Sequence, residues 1–220
     1  MLNRKFSASK LPTFNILTVT HNSMKNIIPI LILSIISCNS KKENSTTQIN
    51  NFQKKEIMMV DYDTIQFTNG FDFPVGKPNA TGYYNAQKFT ENNHLGDDWN
   101  GTGGGNTDLG DPIYSIANGY VSFAKNINGG WGNVIRTVHF IDENKQLESL
   151  YAHCQDIFVK KGDYVTKGKL IGTIGNNNGQ YLAHLHFELR NEVSLPVGGG
   201  YSLNTKGYID PTEFIKNNRK

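Results

Sequence analysis

The sequence predicts a mainly β domain with little helix, and three observations carry that prediction. From about residue 61 the 220-residue chain runs in short apolar or alternating stretches, the period of strands. Gly-Asp, Asn-Gly and Gly-Gly pairs separate those stretches, as tight turns require. Strong helical periodicity is absent over the same region, while glycine is frequent (22 residues) and proline is not (7). In chain order, strands are expected at 112–117, 119–124, 133–140, 148–153, 169–173 and 184–190. One helix is expected at the end: Asp210 is placed to cap it, Pro211 takes the first helical position, and Glu213 stands three residues after the cap.

Two segments precede this domain. Residues 1–37 carry Arg4, Lys5, Lys10 and Lys25 and no acidic residue, so the formal charge of +3 is a property of the leader. The remainder has 18 basic against 19 acidic residues, a balance that gives no electrostatic reason to expect nucleic acid as a partner. The apolar run Ile27 to Ile36 is ten residues long, about 15 Å as helix and half a bilayer core, a poor membrane span but a good signal-peptide core. A leader starting at Met24 has normal proportions. The run ends Ile35-Ile36-Ser37-Cys38, which resembles the lipobox of bacterial lipoproteins and implies a lipid anchor on Cys38. The competing use of Cys38 is a disulfide with Cys154, the second of two cysteines. Residues 38–60 read as a flexible tether, dominated by Ser, Thr, Asn, Gln and charge, with a root-mean-square reach of about 25 Å. The folded domain is expected over 61–220, with its core at 80–215.

Three short clusters carry the chemistry: His94-Leu95-Gly96-Asp97-Asp98, Tyr151-Ala152-His153 and His184-Leu185-His186. On a strand, His184 and His186 leave the same face. His94 and Asp98, four residues apart, suit presentation by a loop or a single turn. A catalytic zinc takes three protein ligands and keeps a fourth position for water. His94, Asp98 and one of the paired histidines supply three. His153 and the other histidine remain beside the metal, where an imidazole with a pKa near ~6.5 can exchange a proton with a water that zinc has acidified to ~7.

Taken together, these clusters resemble the LytM/lysostaphin-type zinc metallopeptidases. HLGDD is similar to the family's H-x-G-x-D, HLHFELR to its H-L-H-F-E, and YAHC to its Y-A-H segment; KKGDYVTKGKLIGTIG resembles a connecting strand pair. The resemblance spans residues 80–215 and implies an antiparallel fold of two sheets forming a groove. It places zinc on His94, Asp98 and His186, makes His153 and His184 catalytic, and gives peptide cross-links of bacterial peptidoglycan as substrate, cut by a zinc-activated water. With the leader it implies a protein of the cell envelope, lipid-anchored at the outer membrane and facing the periplasm or the cell surface; Asn39 is not the aspartate that retains some lipoproteins at the inner membrane. Three departures stand out: Cys154 in place of an apolar residue, Ala183 where proline is common before His184, and a longer glycine-rich link at 99–109.

The neighbours have plainer readings. His139 is expected in the core, Asp97 exposed, Glu188 either orienting an imidazole or paired with a charge, and Asn133 fixing a turn. Tyr83, Tyr84 and Trp99 line a groove or fill the core. Gly103–Gly105 is no phosphate loop, because no Lys or helix start follows it. Three rival functions remain. A non-catalytic regulator that binds cell-wall amidases would lack zinc ligands, whereas all are present here. A biotinyl-type carrier would need a lysine tripeptide that does not occur. A peptidase acting on other proteins would use the same zinc chemistry.

Overall fold

The computed structural model describes residues 65–220; the leader, Cys38 and the tether lie outside the described residues. Alternation in sequence becomes alternation in burial where a strand has one wet face. In β2 (Asp97–Gly101) every second residue is buried, and β1 (Tyr83–Gln87) alternates between half-buried and exposed. By contrast β9 (Leu185–Arg190) is buried along its whole length, because strands pair on both its edges and side chains cover both its faces. The remaining strands are β3 (Pro112–Tyr114), β4 (Gly119–Asn126), β5 (Asn133–Phe140), β6 (Gln146–Ile157), β7 (Tyr164–Val165), β8 (Leu170–Ile174) and β10 (Tyr208–Ile209).

The pairing is antiparallel throughout the described residues, in the order β1-β2-β9-β6-β5-β4-β7. Strand β6 joins the two parts of the architecture. Its first half pairs β9 from Glu148 to Ala152, and its second half pairs β8 at Cys154 and Ile157. The switch falls at His153, where two β6 residues, Ala152 and His153, face the single β5 residue Val134 and the backbone takes φ 58°. This is a bulge, which re-aims a side chain.

The main core holds Ile113, Ile116, Ile135, Tyr151, Ile171, Ile174, Leu185 and Phe187, all essentially inaccessible. Each such side chain contributes about 1.5–3 kcal/mol of burial. Cys154 sits in the same cluster; burial pushes its thiol up to about 12, so it packs as the apolar residue it replaces. The C-terminal helix α1 (Pro211–Asn217) starts as expected: the Glu213 N–H donates to Asp210 Oδ1 at 2.9 Å, and Pro211 is the first helical residue. His139 is fully buried between the Asn118 carbonyl (2.9 Å from Nδ1) and Ser149 Oγ (2.8 Å from Nε2).

Candidate metal centre and groove

The H-x-G-x-D segment is a bend running into a strand. After a single 3₁₀ turn at Glu91–Asn93, His94 bridges Tyr201, and Asp98 enters β2, where it stands opposite His186 of β9. Asp98 is therefore presented by a strand rather than by the loop or turn expected from its spacing. Gly96 explains its place in the motif. A Cβ there would lie 2.4 Å from the Phe187 carbonyl oxygen, so only glycine lets this segment lie against β9. Asp97 points away from Asp98, as neighbours on a strand do. It is buried, not exposed as expected, because its carboxylate accepts from Phe89 N–H (3.1 Å) and Thr212 Oγ1 (2.6 Å).

His94, Asp98 and His186 converge. His94 Nε2 lies 2.9 Å from His186 Nδ1, His186 Nδ1 lies 3.0 Å from Asp98 Oδ1, and the third side of the triangle, His94 Nε2 to Asp98 Oδ1, is 3.3 Å. A tetrahedral zinc with bonds of about 2.0–2.1 Å holds its ligands about 3.3 Å apart, so the triangle has close to the edge lengths of one tetrahedral face. The protonation pattern agrees. The Glu188 carboxylate can only accept, so His186 donates Nε2–H to Glu188 Oε1 (3.1 Å), and its Nδ1 faces the triangle. Burial alone would lower the His186 pKa, but hydrogen bonds and charge from Asp98 and Glu188 outweigh it and carry the group to about 9. Burial would raise Asp98, yet bonds from His186 and His94 hold it below the usual carboxylate range. A site that retains a proton so firmly is one that calls for positive charge. The residues fit zinc.

Glu188 performs both of the roles weighed for it. Beyond His186 it accepts from Arg190 Nε (2.8 Å) and Nη2 (2.5 Å), and both residues are completely buried. Arg190 and Arg136 also donate to the Leu195 carbonyl, and Arg136 pairs with Glu148. These bonds tie the imidazole to the 195–200 loop, which forms one wall of the site.

A groove of about 520 Å³ lies over the triangle, lined by Asp98, His186, His153, His184, Trp131, Tyr181, Tyr201 and the Gly199–Gly200 backbone. His153 and His184 stand side by side with ring centroids 4.7 Å apart, and His153 lies 5.8 Å from His186. The structure thus brings all five residues singled out in the sequence into one site. Asn133 secures the bulge that aims His153: its Nδ2 donates to the carbonyls of Cys154 and Gln155, both at 3.0 Å. His184 Nδ1 donates to the Leu182 carbonyl at 2.8 Å. Sequence reading missed Trp131, Tyr181 and Tyr201 as groove walls. Trp131 reaches its place by donating Nε1–H to the Gly198 carbonyl (3.0 Å) across a gap of 67 residues, which no local pattern shows. Of the aromatics that were considered, Trp99 packs in the core against Phe73, and Tyr83 donates to Asp111 at 2.6 Å.

A family model described as Peptidase family M23 matches residues 98–202, a segment containing Asp98, His153, His184 and His186. The chain is also 38% identical over 81 residues to the lipoprotein NlpD of Yersinia enterocolitica, covering 37% of this chain and 78% of that sequence. The chain belongs to peptidase family M23. Another M23-like relative, the peptidoglycan DD-endopeptidase ShyA of Vibrio cholerae, is 32% identical over 81 residues, 37% of this chain and 18% of that one. The chain thus spans only a small part of ShyA's length. The crystal structure of the SpoIIIAH and SpoIIQ complex is 18% identical, with a TM-score of 0.50 over 66% of this chain and 99% of that one. That likeness is one of fold alone.

Proposed function

We propose that this M23 chain is a zinc metalloendopeptidase that hydrolyses peptide cross-links of bacterial peptidoglycan. The observation that supports it best is the triangle of His94, Asp98 and His186 donor atoms on the floor of an open groove, with two further histidines on its flank. His94, Asp98 and His186 would hold the zinc; when bound, it would acidify a water and polarise the scissile carbonyl.

His153 and His184 divide the remaining work. His184 is half-buried, and its Nδ1–H is committed to the Leu182 carbonyl, so Nε2 carries the lone pair that takes a proton from the attacking water and passes it to the leaving amine. Burial, then the charges at His186 and His184, push His153 down to about 3. So weak a base serves instead as the neutral hydrogen-bond donor to the developing oxyanion. Trp131 and Tyr181 wall this pair. In the same reading the protein is a lipoprotein anchored through Cys38 and working in the envelope, consistent with the kinship to NlpD and with the leader. A non-catalytic, amidase-binding regulator is the rival reading, and the complete donor set and both flanking histidines weigh against it.

Mass spectrometry of purified, cross-linked wall fragments after digestion tests the reading. Cleavage of peptide cross-links is expected from zinc-loaded protein and not after chelation. His153→Ala and His184→Ala should keep stoichiometric zinc and lose about 10²-fold or more in turnover. Intact cross-links with zinc-loaded wild type, or near wild-type turnover by either variant, would overturn it.

A further inference from the structure

The pairing of β9 with β2 ends at Leu185, opposite Trp99. Ala183 and His184 lie just beyond the end of that ladder, where backbone groups need other partners. His184 finds one by donating its N–H to the Gly175 carbonyl at 3.2 Å. Ala183 is completely buried, and two side chains take up its peptide groups. Its N–H donates to Asn106 Oδ1 at 2.8 Å, and its carbonyl accepts from Asn100 Nδ2 at 3.2 Å.

Asn100 sits on β2, two residues after the ligand Asp98. Asn106 sits in the glycine-rich link that follows, the segment noted as longer than the family pattern. The base of that link is stapled by buried Asp108, whose Oδ2 accepts from Gly101 N–H at 2.8 Å. Its tip is turned by Thr107, which donates both N–H (3.2 Å) and Oγ1–H (2.8 Å) to the Gly104 carbonyl. Asn106, though exposed, is thereby held within reach of Ala183.

The Leu182 carbonyl and the Ala183 N–H belong to one peptide group, which is planar and moves as a unit. Asn106 grips its N–H edge; the His184 ring bonds its carbonyl edge through Nδ1. We propose that Asn106 is a positioning residue for His184: by fixing the tilt of the 182–183 peptide it sets the orientation and tautomer of the imidazole. The unusual link would then couple the strand that carries a metal ligand to the histidine that moves the proton. The same bond accounts for Ala183, since a proline there would offer no N–H to Asn106.

This inference rests on the catalytic role proposed for His184, and the test separates the two. Zinc-loaded wild type, Asn106→Ala and Asn106→Asp are compared by metal content, by kcat and KM on a cross-linked muropeptide, and by NMR of the Ala183 amide and the His184 ring. Asn106→Ala should keep its zinc, lose about tenfold or more in kcat with KM within about twofold, and exchange the Ala183 amide at least about tenfold faster. Its His184 ring should show mixed tautomers where wild type shows Nδ1–H alone. Asn106→Asp, which retains the acceptor, should stay within about threefold of wild type on every readout. Amide exchange and ring signals in Asn106→Ala that match wild type would overturn the proposal. So would an Asn106→Asp variant as impaired as Asn106→Ala. Should wild type itself lack turnover, the peptidase reading falls, while the amide and ring signals still decide whether the clamp exists.

Discussion

Replacing Glu188 separates holding the proposed metal ligand His186 from holding the fold. Its side chain is completely buried and divides its oxygens, Oε1 to His186 Nε2 at 3.1 Å and Oε2 to Arg190 at 2.8 and 2.5 Å. In Glu188→Ala the buried Arg190 guanidinium keeps the Leu195 and Val197 carbonyls, at 3.2 and 3.3 Å, Glu148 at 3.8 Å and the face of the Tyr208 ring at 5.1 Å, with no carboxylate in close hydrogen-bond contact. Breaking a buried pair from one side costs about 3–5 kcal/mol, a large part of the roughly 5–15 kcal/mol that holds a domain together. Glu188→Gln keeps the volume and an acceptor for His186 but not the charge, so folding suffers less while the imidazole becomes a weaker ligand. Removing such an outer partner lowers metal affinity by about 10–100-fold. Zinc affinity is read by competition with a chromophoric chelator, and stability by guanidinium unfolding of the metal-free protein. The expected order is wild type, then Gln, then Ala in stability, with both variants weakened for zinc. Glu188→Gln binding zinc within about twofold of wild type, or Glu188→Ala unfolding at the wild-type midpoint, would show that the chain His186–Glu188–Arg190 does not act as argued.

Two further outcomes follow from other parts of the molecule. Burial pushes His139 down to about 4, so the folded state stays neutral there while the unfolded chain protonates below about 6.5. Stability should therefore fall as pH drops from about 6.5 to about 4, by up to about 3 kcal/mol, and His139→Gln should flatten that slope; equal slopes in urea midpoints of the metal-free proteins would refute the assignment. In Gly175→Ala the new Cβ would meet the His153 carbonyl oxygen at 2.3 Å and the Gln155 nitrogen at 2.6 Å, both backbone atoms. The bulge must shift, at about 1–3 kcal/mol. Thermal unfolding should move down and cross-link cleavage fall while zinc stays bound; an unchanged melting temperature and rate would mean that the bulge tolerates the methyl.

What could be read from the chain alone is what depends on neighbours in sequence. Strand 133–140 was placed to the residue, because its apolar stretch is bounded by Trp131-Gly132 and by a polar turn. Helix α1 followed from its cap and its proline. Four of the five candidate site residues stand out because His-x-x-x-Asp and His-x-His each lie within one short segment, and the fifth, His153, through Tyr151-Ala152-His153. Strands β1 and β2 do not, since Asp97 to Gly101 has no apolar alternation: its buried positions are Asp, Trp and Gly. Asp97 was misjudged for the same reason, because a carboxylate looks wet until Phe89 N–H and Thr212 are seen to satisfy it.

The residue types able to hold a cation and exchange a proton were thus written in local pattern, and so was the β character of the domain. How those groups meet was decided by long-range pairing: β2 against β9 sets Asp98 beside His186, the bulge in β6 turns His153 into the groove, and Glu188 with Arg190 anchors the far wall. The physical reason is that hydrogen bonds and charges depend on distance through space, while sequence records only distance along the chain.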